Sequence, residues 1–168
     1  CGVVVPRRRL NSESDQVRGV THVLDLEQLL HDSLDSFDVA IVDSPLASRA
    51  TAAVKIAKSG KAICVILPPA ASLGHWHELS AAFHQTDAKS IVAKPYRMGS
   101  YVKMIHESLH SGKKGAPAQL RIHCWTRQPA SGQLDVSSVL ELAAAQLDVA
   151  CWLFDDRPNS VYAVALQQ

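Results

Sequence analysis

Eight histidines, three arginines in a row and a scatter of lysines and acids are the residues of this chain with chemistry to offer. His75 and His77 flank Trp76, with His84 further along the same stretch. His106 and His110 stand four apart, a spacing that places two imidazoles on one helical face where a metal could be gripped. Neither set has an obvious third ligand, and a metal needs a full set of donors, so the expectation is surface or interface histidines and no metal. Asp43-Ser44 and Lys94-Pro95-Tyr96 follow apolar runs. A desolvated lysine there could move a proton; the plainer reading is a Lys-Pro-Tyr turn with a solvated amine. No Ser/His/Asp set and no G-x-S-x-G elbow occurs. Trp125 and Trp152 read as core or interface anchors.

Composition narrows the classes. Hydrophobic residues make up 47% and charged residues 20%, with a net charge of +1, as in ordinary globular domains. A chain held to nucleic acid through phosphates is usually more basic, so nucleic acid is not expected as the main partner. No apolar run reaches the roughly 18 residues of a membrane span. Cys1, Cys64, Cys124 and Cys151 have no CxxC spacing, and three lie in apolar runs. They read as small buried hydrophobes in a reducing intracellular compartment, cytoplasm or organelle matrix. The chain starts at Cys1, which reads as a piece of something longer.

The elements that must position these groups alternate. Val3–Val5 reads as a strand ended by Pro6 and Arg7 to Arg9, and Val20–Leu24 as a second. Asp25 caps a helix from Leu26 to His31. Phe37–Val42 is apolar on both faces, as in a buried parallel strand. Ala47–Ser59 is an alanine-rich helix with Gly60 as its stop. Ala62–Leu67 is a strand closed by Pro68-Pro69. Ser72–Gln85 is an amphipathic helix, Ser90–Ala93 a strand, and Gly99–His110 a helix. Such alternation predicts a parallel sheet with helices on its faces. Ligands bind beyond the carboxyl ends of such strands, which singles out Pro6-Arg7, Ser44-Pro45, Leu67-Pro68 and Lys94-Pro95. Past Pro117 the style changes. Gln119–Trp125 alternates, Thr126–Asp135 is loop-like, Ser138–Phe154 is a long helix capped by Ser137-Ser138, and Asn159–Leu166 is a last strand. A domain boundary falls between Gly115 and Pro117.

Four blocks in order, GVTHVLDLEQLL from Gly19, FDVAIVDSP, AVKIAKSGKAICVILPP and SGKKGAPAQLRIHCW, resemble the glucose–fructose oxidoreductase / inositol dehydrogenase family of NAD(P)-dependent oxidoreductases. The resemblance implies a Rossmann domain followed by an α/β domain with a large, mainly antiparallel sheet. It also implies a glycine-rich turn that seats the dinucleotide pyrophosphate at a helix N-terminus, and this chain has no GxGxxG. The chain opens at what corresponds to the second strand, Gly2 to Val5. The acidic residue that would hold the cofactor ribose at its end is replaced by Pro6 and Arg7. Arg7 to Arg9 could suit a 2′-phosphate, but a solvated basic loop is the simpler reading. The TPxxxH-like segment is Ser44, Pro45 and, at the histidine position, Arg49. The Glu-Lys-Pro signature, whose lysine contacts substrate and cofactor, is Ile66, Leu67 and Pro68. The Asp-x-x-x-His signature, whose histidine faces the nicotinamide, is Glu141 and Ala145. Neither Leu67 nor Ala145 can transfer a proton, while Asp148, Trp152 and Leu153 match the packing part of that motif.

The expectation is therefore an α/β chain. An incomplete Rossmann-type parallel sheet, lacking its first strand and glycine-rich turn, spans residues 1–116. The start of a partial α+β C-terminal domain spans 117–168. No catalytic residue is expected. Pro6, Arg7, Ser44, Pro45, Arg49, Pro68, Lys94 and Pro95 line a vestigial cofactor cleft, and no cofactor is expected, or NAD(P) if any. The functional expectation is a non-catalytic oxidoreductase-like subunit of a larger protein assembly or homo-oligomer. The alternatives are an NAD(P)-dependent oxidoreductase acting on a sugar, polyol or related small molecule, and a nucleotide-binding module without turnover.

Overall fold

The computed structural model describes residues 26–32, 34–113, 115–125 and 136–164. Its elements in chain order are α1 (Leu26–Asp32), β1 (Val39–Val42), α2 (Leu46–Lys58), β2 (Ala62–Ile66), α3 (Leu73–Gln85), β3 (Ser90–Ala93), α4 (Ser100–His110) and α5 (Val136–Phe154), with 3₁₀ turns at Leu34–Ser36 and Pro95–Met98. The strands form one parallel sheet in the order β1, β2, β3, with Ile41 beside Cys64 and Cys64 beside Ile91. Parallel neighbours require crossover helices, and α2 and α3 are those helices. This is the α/β, partial Rossmann-like sheet that the strand–helix alternation predicts. The expected strands Val3–Val5 and Val20–Leu24 and the loop Thr126–Asp135 lie outside the described residues.

Both crossover helices pack on the same face of the sheet. Val42, Ile63 and Val65 point into a core with Ala53 and Ile56 of α2 and Leu79 of α3, with Leu26, Leu30 and Phe83 packed around it. The period of two in a strand sends the alternate residues to the other face, and no described element covers them: Ile41 is 69% exposed and Ile91 63%. This corrects the reading of Phe37–Val42 as buried on both sides. The strand is also shorter than expected. Phe37 lies before the ladder, buried, with the Lys61 amine 5.5 Å from its ring centre.

Local chemistry sets the helix ends. Gly60, at φ +77°, follows α2 in the left-handed conformation that ends a helix. Ser72 caps α3, its Oγ accepting from the His75 amide at 3.2 Å. Replacing Ser72 with alanine removes that acceptor, which costs about 1 kcal/mol. A thermal melt should drop by roughly 2–4 °C, and an unchanged midpoint would show that the cap contributes nothing. α5 starts at Val136, two residues before the expected start at Ser138, so Ser137 and Ser138 fall within its first turn. Ala145, Val149 and Leu153, spaced four apart, form its buried stripe.

Among the described residues the two expected tail strands are not formed. Residues 119–125 and 159–164 carry no ladder bonds, and residues 165 and 166 lie outside the described set. A strand exists only where a neighbour accepts its hydrogen bonds, and alternation in sequence cannot supply one. For the same reason Cys124, expected inside, is exposed, whereas Cys64 and Cys151 are half-buried free thiols.

Candidate functional site

The carboxyl ends of β1 and β2 meet the N-terminus of α2 and the side of α5. Side chains on a helix lean toward its N-terminus, so Arg49, four residues into α2, reaches back to the strand tips. It is 4% exposed. Its Nε donates to the Ser44 carbonyl at 2.9 Å, Nη1 to the Pro68 carbonyl at 2.8 Å, and Nη2 to Glu141 Oε1 at 2.8 Å. Asp43 Oδ1 stands 3.7 Å from the same Nη2. A buried guanidinium requires such a shell, because an unpaired charge there would cost several kcal/mol. One side chain therefore ties the exits of two strands to α5.

A second junction lies beyond β3. Arg97, in the 3₁₀ turn, grips Asp148 of α5 with both prongs, Nε to Oδ2 and Nη2 to Oδ1, each at 2.6 Å. Such forks are among the stronger hydrogen-bonded pairs. Lys94 Nζ adds a contact to Asp148 Oδ1 at 2.9 Å. Burial alone would raise the Asp148 pKa, but the hydrogen bonds from Arg97 and Lys94 and their charges outweigh it and leave the carboxyl below its ordinary value. The Arg97 guanidinium carbon is 5.3 Å from the Trp152 ring centre. His106 stacks on Trp152 at 4.0 Å, and His110 on His106 at 4.0 Å.

These placements sort the residues singled out in the sequence. Ser44, Pro68 and Arg49 converge. Pro45 caps the start of α2 through its backbone, its carbonyl accepting from the Ser48 and Arg49 amides at 2.9 and 3.0 Å. Lys94 lies at the second junction, where its half-exposed amine pairs with Asp148 Oδ1 at 2.9 Å. Pro95 opens the 3₁₀ turn. Leu67 is half-buried and Ala145 buried. Pro6 and Arg7 lie outside the described residues. His106 and His110 use their faces for stacking, and among the described residues no three His, Cys, Asp or Glu side chains come together to hold a metal. Arg97 was not singled out from sequence. Its signal is indirect: Asp148 sits in a long apolar helix, and a half-buried acid there implies a cation opposite.

The described strand ends fit a dinucleotide pyrophosphate poorly. Among the described residues the glycines with positive φ, Gly60, Gly112 and Gly115, follow helices rather than strands, so no glycine cradle opens at a described strand tip. The charged groups at the tips already hold one another. Among the buried side-chain nitrogen and oxygen atoms of the described residues, one has no hydrogen-bond partner, Ser44 Oγ.

No family model and no curated protein sequence matches the chain. Solved structures do. The WlbA dehydrogenase of Bordetella pertussis, solved with NADH and UDP-GlcNAcA, is 16% identical at a TM-score of 0.65, covering 80% of this chain and 41% of its own. Myo-inositol dehydrogenase from Lactobacillus casei, solved with NAD(H) and myo-inositol, is 19% identical at 0.64, over 81% and 40%. An oxidoreductase domain protein from Kribbella flavida is 18% identical at 0.62, over 82% and 40%. The chain thus spans about two fifths of the length of these structures. At such identities the likeness is one of fold. The fold is that of oxidoreductases of the glucose–fructose oxidoreductase / inositol dehydrogenase type, the group named by the sequence resemblance. No helix among the described residues is long and apolar enough to cross a membrane.

Proposed function

We propose that this chain is a non-catalytic relative of these oxidoreductases and serves as a structural or assembly subunit of a larger protein complex. The observation that carries the reading is Arg49. At the strand tips, where a ligand of this fold would sit, its buried guanidinium is bound to Ser44, Pro68 and Glu141 of the chain itself. The positions that the resemblance assigns to proton transfer hold Leu67 and Ala145, which have no titratable group. Lys94, the cation at the tip of β3, is bound to Asp148. In this reading Pro6, Arg7, Ser44, Pro45, Arg49, Pro68, Lys94 and Pro95 are the remnant of a cofactor cleft. Residues 1–116 are the dinucleotide-type unit and 117–168 the start of a second one, joined through α5. Free thiols at Cys64, Cys124 and Cys151 suit a reducing compartment.

A second reading is an NAD(P)-dependent enzyme acting on a sugar, polyol or related small molecule, or a nucleotide-binding module without turnover. One observation favours it. The unpartnered Ser44 Oγ lies just before α2, a helix start with no side-chain cap, and such a start attracts anions. Titration of the native-source protein with NADH and NADPH, followed by nucleotide fluorescence, separates the two. The subunit reading expects no saturable signal up to millimolar nucleotide from a folded sample. Saturation at micromolar nucleotide would overturn it.

A further inference from the structure

The rings at the second junction form a column. Trp152 and His106 stack with centres 4.0 Å apart and planes at 12°, and His110 stacks on His106 at 4.0 Å and 25°. The Arg97 guanidinium carbon is 5.3 Å from the Trp152 ring centre. The column thus runs from the 3₁₀ turn through α5 to α4. Charge decides how much it can bear. Arg97 is always protonated, whereas imidazoles as a class gain charge between about pH 5 and pH 8. His110 Nδ1 lies 2.8 Å from the His106 carbonyl oxygen and donates to it, because a carbonyl only accepts. The Nε2 of this exposed ring is left to take a proton in the last turn of α4, where a cation is favoured. His106 is half-buried between that ring and the indole.

No carboxylate among the described residues stands within ion-pair distance of either imidazole. α4 packs against the turn and α5. The turn brings Lys94, Tyr96 and Arg97. α5 brings Glu141, Asp148 and Cys151, followed by Asp155 and Asp156. Glu141 is occupied by Arg49, and Asp148 by Arg97 and Lys94. Lys103 and Glu107 lie on α4 itself and bond neither ring.

We propose that this column is an acid-opened latch. Near neutral pH the stacked rings hold α4 against α5. In mild acid both imidazoles are charged, and α4 lifts from Trp152. Two cationic rings 4.0 Å apart repel, and Arg97 already lies against the indole as a cation partner. The open form separates the charges and takes up the second proton more readily, so the closed form loses ground as pH falls. α5 stays in place, because Arg49–Glu141 and Arg97–Asp148 hold it, and the depressed Asp148 carboxyl keeps its charge through the imidazole range. The change is confined to α4. It frees the Trp152 wall of a cleft of about 460 Å³ that Lys94, Arg97 and Arg157 also line.

Hydrogen exchange read by mass spectrometry at about pH 7.5 and about pH 5.5, on either side of the imidazole range and normalised for the intrinsic pH dependence of exchange, tests the latch. Amides of α4 should exchange roughly fivefold faster at the lower pH, the factor for two unit charges 4 Å apart in water, while those of α2 keep their protection. His106→Phe leaves a ring on Trp152 that cannot charge, and should protect α4 equally at both pH values. His110→Gln removes the second charge and should also abolish the pH dependence. Equal protection of wild-type α4 at both pH values overturns the proposal. So does a His106→Phe chain that responds to pH as wild type does, or loosening of α2 together with α4, which would be global acid unfolding.

Discussion

Arg49→Ala should be severely destabilising. The substitution strips the Ser44 and Pro68 carbonyls of their donor and leaves Glu141 without its counterion. Removing one member of a buried pair costs about 3–5 kcal/mol, and the lower end applies here because the Glu141 side chain is 43% exposed and can recover water. For a chain of this length about 3 kcal/mol lowers the thermal midpoint by roughly 6–12 °C. Arg49→Lys keeps the charge but replaces a planar fork by a single ammonium, which cannot serve three acceptors in three directions. It should fall between wild type and alanine. Glu141→Gln keeps an acceptor for Nη2 and should cost least. If lysine restored the full midpoint, the guanidinium geometry would be irrelevant and Arg49 would be no more than a local positive charge.

That prediction marks how far the sequence could be read. The alternation of apolar runs with helical stretches placed β1, β2, β3 and the helices between them, because period and punctuation are local: Gly60 ends α2 and Ser72 starts α3 through atoms within a few residues of each. The strand tips followed from the sheet, and Ser44, Pro68 and Arg49 do converge there. The role of Arg49 was not legible. As a residue standing at a histidine position it reads as a lost ligand contact. Its actual role depends on Glu141, 92 residues away, and no spacing rule spans that distance. The Arg97–Asp148 fork joins residues 51 apart and was hidden in the same way, although an acid within an apolar helix was a clue. The tail failed for the converse reason. Alternation in residues 119–125 and 159–164 states which side chains want burial but not what they pair with, so an expected strand became an open apolar segment.

Asp148→Asn should be the second large effect, and its pH dependence separates a structural carboxylate from a catalytic one. A neutral amide still accepts one hydrogen bond but leaves Arg97 and Lys94 close together without a countercharge. Both cations are partly exposed, so the cost near neutral pH is about 2–3 kcal/mol, below the range for a fully buried pair. The sign with pH follows from the depressed carboxyl. The unfolded chain takes up the proton first, near the ordinary value of about 3.9. The stabilisation is therefore fully present above that value and is lost as pH falls through the lower folded-state value. Denaturant midpoints of wild type and Asp148→Asn should differ widely at neutral pH and converge as the solution is made acidic below the ordinary carboxylate range. A gap of constant size would mean that Asp148 acts through shape alone. The direction of the shift also bears on chemistry. A carboxyl that shuttles protons at neutral pH must be pushed up toward neutrality, and here the two cations pull it down. The same contacts that make Asp148 a strong tie between α5 and the end of β3 keep it ionised at neutral pH, with no proton to donate, as expected of a residue that holds the fold together.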